Sequence, residues 1–398
     1  MASARLQPAP GFLRRSGVLA ASNSRSARAL LCEITSRARL TPTRLGGLEM
    51  LHRGDDHFLR LLEAFANADH ELSVEIYQVR RDPVGRRLLD GLADAAGRGV
   101  RVRLLADAFG CLRVADWIEG LRERRVEVCW YGAWRPTTSP LRRTHRKLVI
   151  VDGHTASIGG VNFAEEFSEC HRGPLAWRDV SVWFRGPAAA VLRRQFENAW
   201  HAEGGRPGAF LAVDPTGDEF VAVAGGEDGR TGHAATWQAM VASARFEALL
   251  ATPYFLPDAP FRRTLIDAVA RGVQVVVVIP RRCDIRWFVH AGRRAYDDLL
   301  RAGVEIWERC DRMVHAKVGV VDGLVAAVGS ANLNRRSFYG NAETLIVSTA
   351  SRVVDGIRNL VTVESAAAAD VLRVPDWRRH PTRDRWAELL AAPMASVF

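Results

Sequence analysis

The sequence contains almost no lysine: of its 55 basic residues 53 are arginine, and the two exceptions are Lys147 and Lys317. Its six cysteines are scattered, with no CxxC pair, which excludes the usual zinc and disulfide frameworks and indicates a reducing compartment. Purely apolar runs reach only five residues, as in 275–279, which is far shorter than the roughly 18 to 20 residues that span a bilayer. We therefore expect no metal site, and any membrane contact should be peripheral.

The composition is that of a globular protein, with 48% hydrophobic and 25% charged residues. A length of 398 residues suffices for one large or two ordinary domains. The net charge is +10, but residues 1–45 hold eight arginines and one acidic residue, so the remaining chain carries only +3. We predict that residues 1–45 are a disordered tail rich in Arg, Ser and Ala. A mitochondrial transit peptide, or a start codon set upstream of Met50, are the alternatives.

An internal repeat organises the chain after residue 70. Residues 88–107 (LLDGLADAAGRGVRVRLLAD) and residues 263–280 (RTLIDAVARGVQVVVVIP) each predict a helix, a glycine stop and a strand. THRKLVIVDG is then echoed 170 residues later by VHAKVGVVDG, and GGVN by GSAN at the same offset. Alternating strands and helices indicate an α/β fold. We predict two homologous α/β sandwich halves related by a pseudo-twofold axis, with one active site at their interface.

The boundary between the halves falls in a stretch that contains glycine and proline. We place the N-terminal half at residues 46–205, with the first HxKxxxxD motif, and the C-terminal half at residues 233–398, with the second. Residues 206–232 are the predicted linker.

The repeated motif carries the chemistry. In a strand, residues two apart point to the same face, so each copy offers an imidazole beside an ammonium. The asparagine that follows adds an amide, and two such sets meeting at a pseudo-twofold axis would suit a phosphodiester. The planar guanidinium fork does not replace an ammonium point charge, which explains why the two lysines of the chain occupy equivalent positions. The residues are His145, Lys147 and Asn162 in the first copy and His315, Lys317 and Asn332 in the second.

Duplicated HxKxxxxD followed by GGxN or GSxN resembles the phospholipase D superfamily. The flanking motifs resemble its bacterial cardiolipin synthase branch, in the short form without N-terminal transmembrane helices. These motifs are VEIYQVRRDPVG, GGVNFAEE, PYFLPD and RSFYGNAE, and the resemblance covers roughly residues 46–390. Asn334 stands where the family usually has aspartate.

The resemblance implies covalent catalysis without metal or cofactor. His145 would attack phosphorus to form a phosphohistidine, and His315 would protonate the departing alcohol and deprotonate the incoming one. Pseudosymmetry leaves the reverse assignment open. The lysines and asparagines would hold the phosphoryl oxygens.

Carboxylates complete the expected site. A nucleophilic imidazole is usually held in one tautomer by a carboxylate on its other nitrogen. The resemblance assigns this role to Asp179 and Glu343, with surface salt bridges as the alternative. Asp152 and Asp322 belong to the catalytic motif itself, and we expect them to act structurally in the turns that follow the strands.

The catalytic core does not distinguish lipid synthases from phospholipases, nucleases and phosphodiesterases. Aromatic residues interleave with arginines in nearby loops, which suits the headgroup boundary of an anionic bilayer. The same pattern suits single-stranded nucleic acid or ordinary core packing. The residues are Trp130, Trp134, Trp287 and Phe288.

The weak charge of the body weighs against nucleic acid as a partner and favours phosphatidylglycerol. We therefore predict a phosphatidyltransferase that converts two phosphatidylglycerol molecules into cardiolipin and glycerol. Hydrolysis as a phospholipase D, or cleavage as a nuclease or phosphodiesterase, are the alternatives. The predicted location is the cytoplasmic face of a bacterial inner membrane, or the mitochondrion if the tail is a transit peptide.

Overall fold

The computed structural model describes residues 24–133, 143–208, 219–226 and 232–372. Its strands are β1 Pro42–Leu51, β2 Glu71–Ile76, β3 Arg101–Asp107, β4 Glu127–Tyr131, β5 Arg143–Thr144, β6 Lys147–Val151, β7 Thr155–Gly159, β8 Ser181–Arg185, β9 Glu219–Gly226, β10 Glu247–Ala251, β11 Gln274–Pro280, β12 Glu305–Arg309, β13 Lys317–Val321, β14 Val325–Gly329, β15 Asn341–Ser348 and β16 Ala369–Val371.

Helices pack against the strands of both halves. They are α1 Ser24–Ala38, α2 Gly54–Ala66, α3 Pro83–Gly97, α4 Ala115–Gly120, α5 Glu169–Arg172, α6 Pro187–Ala202, α7 His233–Ser243, α8 Ala259–Ala270, α9 Arg286–Arg293, α10 Tyr296–Ala302, α11 Arg335–Tyr339 and α12 Ser351–Asn359. Among the described residues, none of the helices combines the length and the apolar character needed to cross a membrane.

The two halves repeat one strand order. The N-terminal half runs β4-β3-β2-β6-β7-β8, and the C-terminal half runs β12-β11-β10-β13-β14-β15. In each half the first three strands are parallel, and the next three are antiparallel. The predicted α/β fold with two homologous halves is therefore confirmed. Strands β1 and β9 lie between β8 and β15 and join both halves into one continuous sheet.

Equivalent local signals form equivalent helices in the two halves. Asp82 caps α3 by accepting a hydrogen bond from the Gly85 N–H at 2.7 Å, and Asp258 caps α8 in the same way. Both helices carry proline in their first turn. Each is followed by a glycine with positive φ, Gly99 and Gly272, because the turn into the next strand needs a conformation that side chains disfavour.

Alternation along the strands distributes apolar side chains between three cores. Leu148 and Ile150 of β6 face a central core shared by both halves, while Val149 and Val151 face the outer core of the N-terminal half. The outer core of the C-terminal half forms on the other side of the second sheet. Fully burying one such side chain contributes about 1.5–3 kcal/mol. The central core therefore holds the two motif strands in fixed positions.

The described part of the expected tail is folded. Residues 24–45 form α1 and the start of β1, and Leu30, Leu31 and Ile34 of α1 are buried in the outer core of the C-terminal half. The prediction of disorder was wrong there because apolar residues at helical spacing recur among the arginines. Residues 1–23 lie outside the described residues.

The linker prediction also needs correction. Residues 219–226 form β9, which pairs with both β1 and β15. The composition of this stretch suggested a connection, but its alternating apolar residues form a strand within the continuous sheet. Residues 209–218 and 227–231 are outside the described part of the chain.

Candidate active site

Both motifs lie at the carboxyl edge of the parallel strands. Lys147 begins β6 opposite Ile76, the last residue of β2, and β13 begins with Lys317 beside the carboxyl end of β10. Ligands of open α/β sheets commonly bind at this edge. The sheet topology therefore brings both histidine–lysine pairs to one place.

Each motif is held by the backbone of the opposite half. The His145 N–H donates to the Ala342 carbonyl at 2.8 Å, next to the short pairing of β5 with β15. The His315 N–H donates to the Arg178 carbonyl at 2.7 Å. The two histidines therefore depend on correct docking of the two halves.

The carboxylates are exchanged in the same way. His145 Nδ1 lies 3.0 Å from Glu343 Oε2, and His315 Nδ1 lies 2.7 Å from Asp179 Oδ2. Both carboxylates are buried. A neutral imidazole that donates its Nδ1–H to a carboxylate keeps the lone pair on Nε2. Each half thus supplies one histidine and the carboxylate for the other half's histidine.

Small residues create room for these carboxylates. A Cβ at Gly160 would lie 2.2 Å from Asp179 Oδ2, so a side chain there would displace the carboxylate. At the equivalent position Ser330 donates to Glu343 Oε2 at 2.6 Å, and its carbonyl lies 3.0 Å from His145 Nδ1. The first copy therefore has the glycine of GGVN beside Asp179, and the second copy has the serine of GSAN beside Glu343.

The two ammonium groups contact the histidines from within each motif. Lys147 Nζ donates to the His145 carbonyl at 2.6 Å and lies 4.9 Å from the centroid of the Tyr77 ring. Lys317 Nζ donates to the His315 carbonyl and lies 3.8 Å from Asp179 Oδ2. Both lysines are buried, so their charges are only weakly screened by solvent.

Burial makes the histidines poor bases at rest. It lowers the pKa of His145 to about 4 and of His315 to about 3, and the adjacent ammonium groups add to this effect while the carboxylates oppose it. Both imidazoles are therefore neutral at pH 7 in the free protein.

Burial also lowers the pKa of Lys147 to about 7 and that of Lys317 to about 8. For Glu343 burial alone would raise the pKa, but His145 and Lys147 outweigh it and lower the pKa to about 2. For Asp179 burial is likewise outweighed, chiefly by Lys317, and the pKa is lowered. The site therefore pairs ionised carboxylates with cations whose charge is sensitive to pH.

The two asparagines are buried close to the end of the strands that precede them. Within the described residues, the amide oxygens of Asn162 and Asn332 make no hydrogen bond. A buried polar group left unpaired costs about 1–3 kcal/mol. A bound ligand that donates a hydrogen bond, such as an alcohol hydroxyl, would recover this cost at both positions.

The motif aspartates lie at the opposite edge of the sheet. Asp152 accepts backbone hydrogen bonds from Asp69, His70 and Glu71 at 2.7–3.2 Å, and Asp322 does the same with residues 245–247. Burial would raise the pKa of Asp152, but these N–H groups lower it. Both aspartates adopt positive φ in their turns. They hold the far end of the motif strand, away from the imidazoles.

The predicted headgroup rim needs correction at Phe288. Phe288 is buried against Tyr254, and Trp287 stacks on it with ring centroids 4.0 Å apart. Trp130 is partly buried, and its indole N–H donates to Glu119. Trp130 and Trp287 remain partly exposed, so their place at a headgroup rim stays a prediction, and Trp134 lies outside the described residues.

Aromatic side chains that sequence reasoning did not single out surround the imidazoles. The Tyr77 ring is 4.9 Å from that of His145, while the rings of Phe167 and Trp177 are each 5.3 Å from that of His315. Tyr254 donates to Asp284 at 2.6 Å. The available signal was positional, since Tyr77 directly follows β2 and Tyr254 lies three residues beyond the end of the equivalent strand β10.

A buried ion pair lies behind the first motif and was also missed. Arg146 Nη1 is 3.4 Å from both Glu75 oxygens, and neither side chain is exposed. Thr144 donates to the same carboxylate, and its N–H donates to Asp107 at 3.0 Å. Arg146 Nε also donates to the Glu343 carbonyl at 3.4 Å. These contacts support the segment that carries His145.

Comparison with known proteins places this geometry in a family. The family model described as "Cardiolipin synthase, PLD-like domain" matches residues 61–200 and 238–361. A cardiolipin synthase of Geobacillus sp. (strain WCH70) is 31% identical over 79% of this chain and 65% of its own length. The cardiolipin synthase of Geobacillus kaustophilus (strain HTA426) is 31% identical over 88% of this chain and 72% of its own length. Cardiolipin synthase 2 of Bacillus cereus is 33% identical over 78% of this chain and 62% of its own length. The chain thus spans 62–72% of the length of these relatives.

Solved structures share the fold at low sequence identity. A phosphatidylserine synthase from Haemophilus influenzae Rd KW20 has a TM-score of 0.67 with 14% identity, covering 94% of this chain and 98% of that one. A polyphosphate kinase from Porphyromonas gingivalis has a TM-score of 0.58 with 15% identity, covering 82% and 49%. With the family match over most of the chain, the protein belongs to the cardiolipin synthase family of phospholipase D-like proteins.

Proposed function

We propose that the protein is a phosphatidyltransferase that makes cardiolipin and glycerol from two molecules of phosphatidylglycerol. The single observation that carries the proposal is the reciprocal exchange of carboxylates, which sets two histidines in one site, each with Nδ1 on a carboxylate of the opposite half. Nε2 of His315 lies 3.2 Å from Lys317 Nζ, beside the ammonium that would bind the phosphodiester. Its relatives named cardiolipin synthase favour this lipid chemistry over that of other superfamily members.

The first half-reaction transfers the phosphatidyl group to the enzyme. His145 Nε2 attacks phosphorus, the bond from phosphorus to the glycerol oxygen breaks, and His315 gives that oxygen a proton. The negative phosphodiester raises the pKa of the nearby His315, so the complex favours the protonated form that the free protein lacks. The products are phosphatidyl-His145 and free glycerol.

The second half-reaction reverses these roles. His315 takes a proton from the hydroxyl of a second phosphatidylglycerol, whose oxygen attacks phosphorus as the bond to His145 breaks. Cardiolipin leaves, and both imidazoles return to their starting state. Lys147 and Lys317 stabilise the phosphoryl oxygens throughout, and the amides of Asn162 and Asn332 donate to them.

The carboxylates and turns have separate roles in this scheme. Glu343 and Asp179 hold the tautomers of His145 and His315 and stabilise each imidazolium as it forms. Asp152 and Asp322 fix the motif strands from the opposite edge. The protein would act as a peripheral protein at the cytoplasmic face of a bacterial membrane.

The direct test is incubation of the purified protein with phosphatidylglycerol vesicles in the presence of EDTA, followed by mass spectrometry of the lipids. Cardiolipin with equimolar glycerol is the expected result, and the His145→Ala variant is the matched inactive control. Phosphatidic acid as the sole product would replace the proposal with hydrolysis. Cleavage of single-stranded DNA in a parallel reaction, with unchanged lipid, would replace it with a nuclease.

A further inference from the structure

Large apolar side chains are exposed on the face that holds the candidate active site. Phe109 is 64% exposed, Leu112 is 67% exposed and Leu175 is 69% exposed. Most side chains of this size in the described residues are buried in the cores. Exposed apolar groups that gather beside a functional site commonly mark a surface for a partner or a membrane.

The first two of these residues belong to the loop after β3, on the side of His145. Phe109 lies two residues beyond Asp107, whose carboxylate accepts the N–H of Thr144, the neighbour of His145. The guanidinium of Arg143 lies 5.2 Å from the centroid of the Phe109 ring. Leu112 begins the short helical turn that follows.

Leu175 lies on the other side of the site. It is two residues before Trp177, whose ring is 5.3 Å from that of His315. The exposed residues therefore flank both halves of the site and are not confined to one loop.

The loops at this edge are also more basic than the rest of the molecule. Together they hold 13 arginines and seven acidic residues, a net charge of +6, whereas the remainder of residues 46–398 has a net charge of −3. Four of these arginines pair with carboxylates outside the loops, while Arg113, Arg282 and Arg335 are exposed. Such an asymmetry attracts an anionic surface to one face. The loops counted are 77–82, 108–114, 162–178, 253–258, 281–294, 310–316 and 331–341.

We propose that this face docks onto an anionic lipid bilayer, with Phe109, Leu112 and Leu175 inserted at the headgroup boundary and the surrounding arginines facing lipid phosphates. The inference rests on the proposed lipid substrate and adds how the site reaches it. Apolar anchors combined with basic residues are the pattern of interfacial binding, in which neither contribution suffices alone. Docking places the imidazoles at the depth of the headgroups without extracting the lipid.

Vesicle flotation tests the proposal with the full chain. Wild type should bind vesicles of phosphatidylglycerol and phosphatidylcholine, and bind pure phosphatidylcholine weakly. The Phe109→Ser/Leu112→Ser/Leu175→Ser variant should lose about tenfold or more in the partition coefficient. Added salt should weaken wild-type binding because the arginine contribution is screened.

A matched triple variant controls for general loss of surface apolar groups. Leu59, Phe246 and Val363 are 52%, 61% and 56% exposed and lie outside the seven loops counted above. The Leu59→Ser/Phe246→Ser/Val363→Ser variant should bind vesicles like wild type. Equal losses in both triple variants, or no loss in the first, would overturn the proposal.

Two further measurements separate docking from catalysis and from folding. The first triple variant should keep wild-type turnover of monomeric dihexanoyl-phosphatidylglycerol, and the single variants Phe109→Ser and Leu175→Ser should each show a smaller loss of binding. Vesicle binding should persist in His145→Ala. If wild type binds vesicles but forms no cardiolipin, the proposed function is rejected and the docking face is kept. If wild type forms cardiolipin and the first triple variant binds vesicles equally well, the docking face is rejected and the proposed function is kept.

Discussion

The two copies of the motif share a backbone and differ in what lies behind it. Arg146 follows the first histidine and forms a buried ion pair with Glu75. In the second copy, Ala316 occupies the position of Arg146. Ala251 occupies the position of Glu75, because it pairs with Val318 of the motif strand as Glu75 pairs with Leu148. The duplicated fold therefore supplies the symmetry of the site, and unequal surroundings distinguish its two histidines.

The surroundings of the imidazoles differ in the same way. His145 lies beside Tyr77 and the polar group formed by Thr144 and Glu75, while His315 is enclosed by the rings of Phe167 and Trp177. These aromatic rings keep water away from His315, which would otherwise activate a water molecule for hydrolysis. This contrast agrees with the proposed roles of His145 as nucleophile and His315 as acid and base.

The largest expected effect is on the histidines themselves. His145→Ala and His315→Ala should each lower turnover by about 10³-fold or more. A phosphatidyl-p-nitrophenol substrate separates the nucleophile from the general acid, because its leaving group departs without a proton. His315→Ala should then accumulate a phosphatidyl adduct on His145, measured by peptide mass spectrometry, whereas His145→Ala should show none. An adduct on His315 would reverse the assignment.

The ion pair behind the first motif should affect stability. Arg146→Met leaves the buried Glu75 carboxylate without its cation and should lower the free energy of unfolding by about 3–5 kcal/mol. Glu75→Leu/Arg146→Met should recover most of that loss, because the second motif is apolar at both positions. Urea denaturation measures both variants. A double variant as unstable as the single one would contradict this account of the asymmetry.

Removal of a carboxylate should disable the histidine of the opposite half. Asp179→Asn and Glu343→Gln should each lower kcat by about 10³-fold, since the amide does not stabilise the imidazolium. NMR of the imidazole nitrogens should show the change at His315 for Asp179→Asn and at His145 for Glu343→Gln. A change at the histidine of the same half would disprove the exchange.

The lysines should resist conservative replacement. Lys147→Arg and Lys317→Arg keep the charge but replace a compact donor by a wide planar one in a buried position. We expect kcat/KM to fall by about 10²-fold for either variant. Arg60→Lys, at a partly exposed ion pair with Glu49, provides a control for the exchange of cations, and its kinetics should match wild type.

The smallest expected effect is the dependence of kcat/KM on pH. Below the pKa of about 4 of His145, protonation removes the nucleophilic lone pair. Above the pKa of about 7 of Lys147 and about 8 of Lys317, loss of a proton removes the charge that binds the phosphodiester. The profile should be bell-shaped, with apparent constants that belong to the coupled groups. Activity that rises steadily to pH 10 would contradict the role of the lysines.

Much of the fold was predictable because the same local signals occur twice. The glycine stops at Gly99 and Gly272 and the repeated motif strands predicted the two homologous halves, whose common strand order the structure then showed. The prediction failed where composition was used in place of periodicity. The arginine-rich residues 24–45 and the polar stretch around β9 are folded because their apolar residues fill gaps in the sheet and its outer core.

The site was predictable in its residue types and not in its pairing. The sequence by itself determined that two histidines, two lysines, two motif aspartates and two asparagines recur at an offset of 170 residues, since the duplicated unit repeats their spacing. Only the tertiary structure decided that Glu343 serves His145 and Asp179 serves His315, that Phe288 is buried and that Phe109 is exposed. Those contacts form between segments up to about 200 residues apart, and their partners are set by how the two sheets pack, which no local pattern encodes.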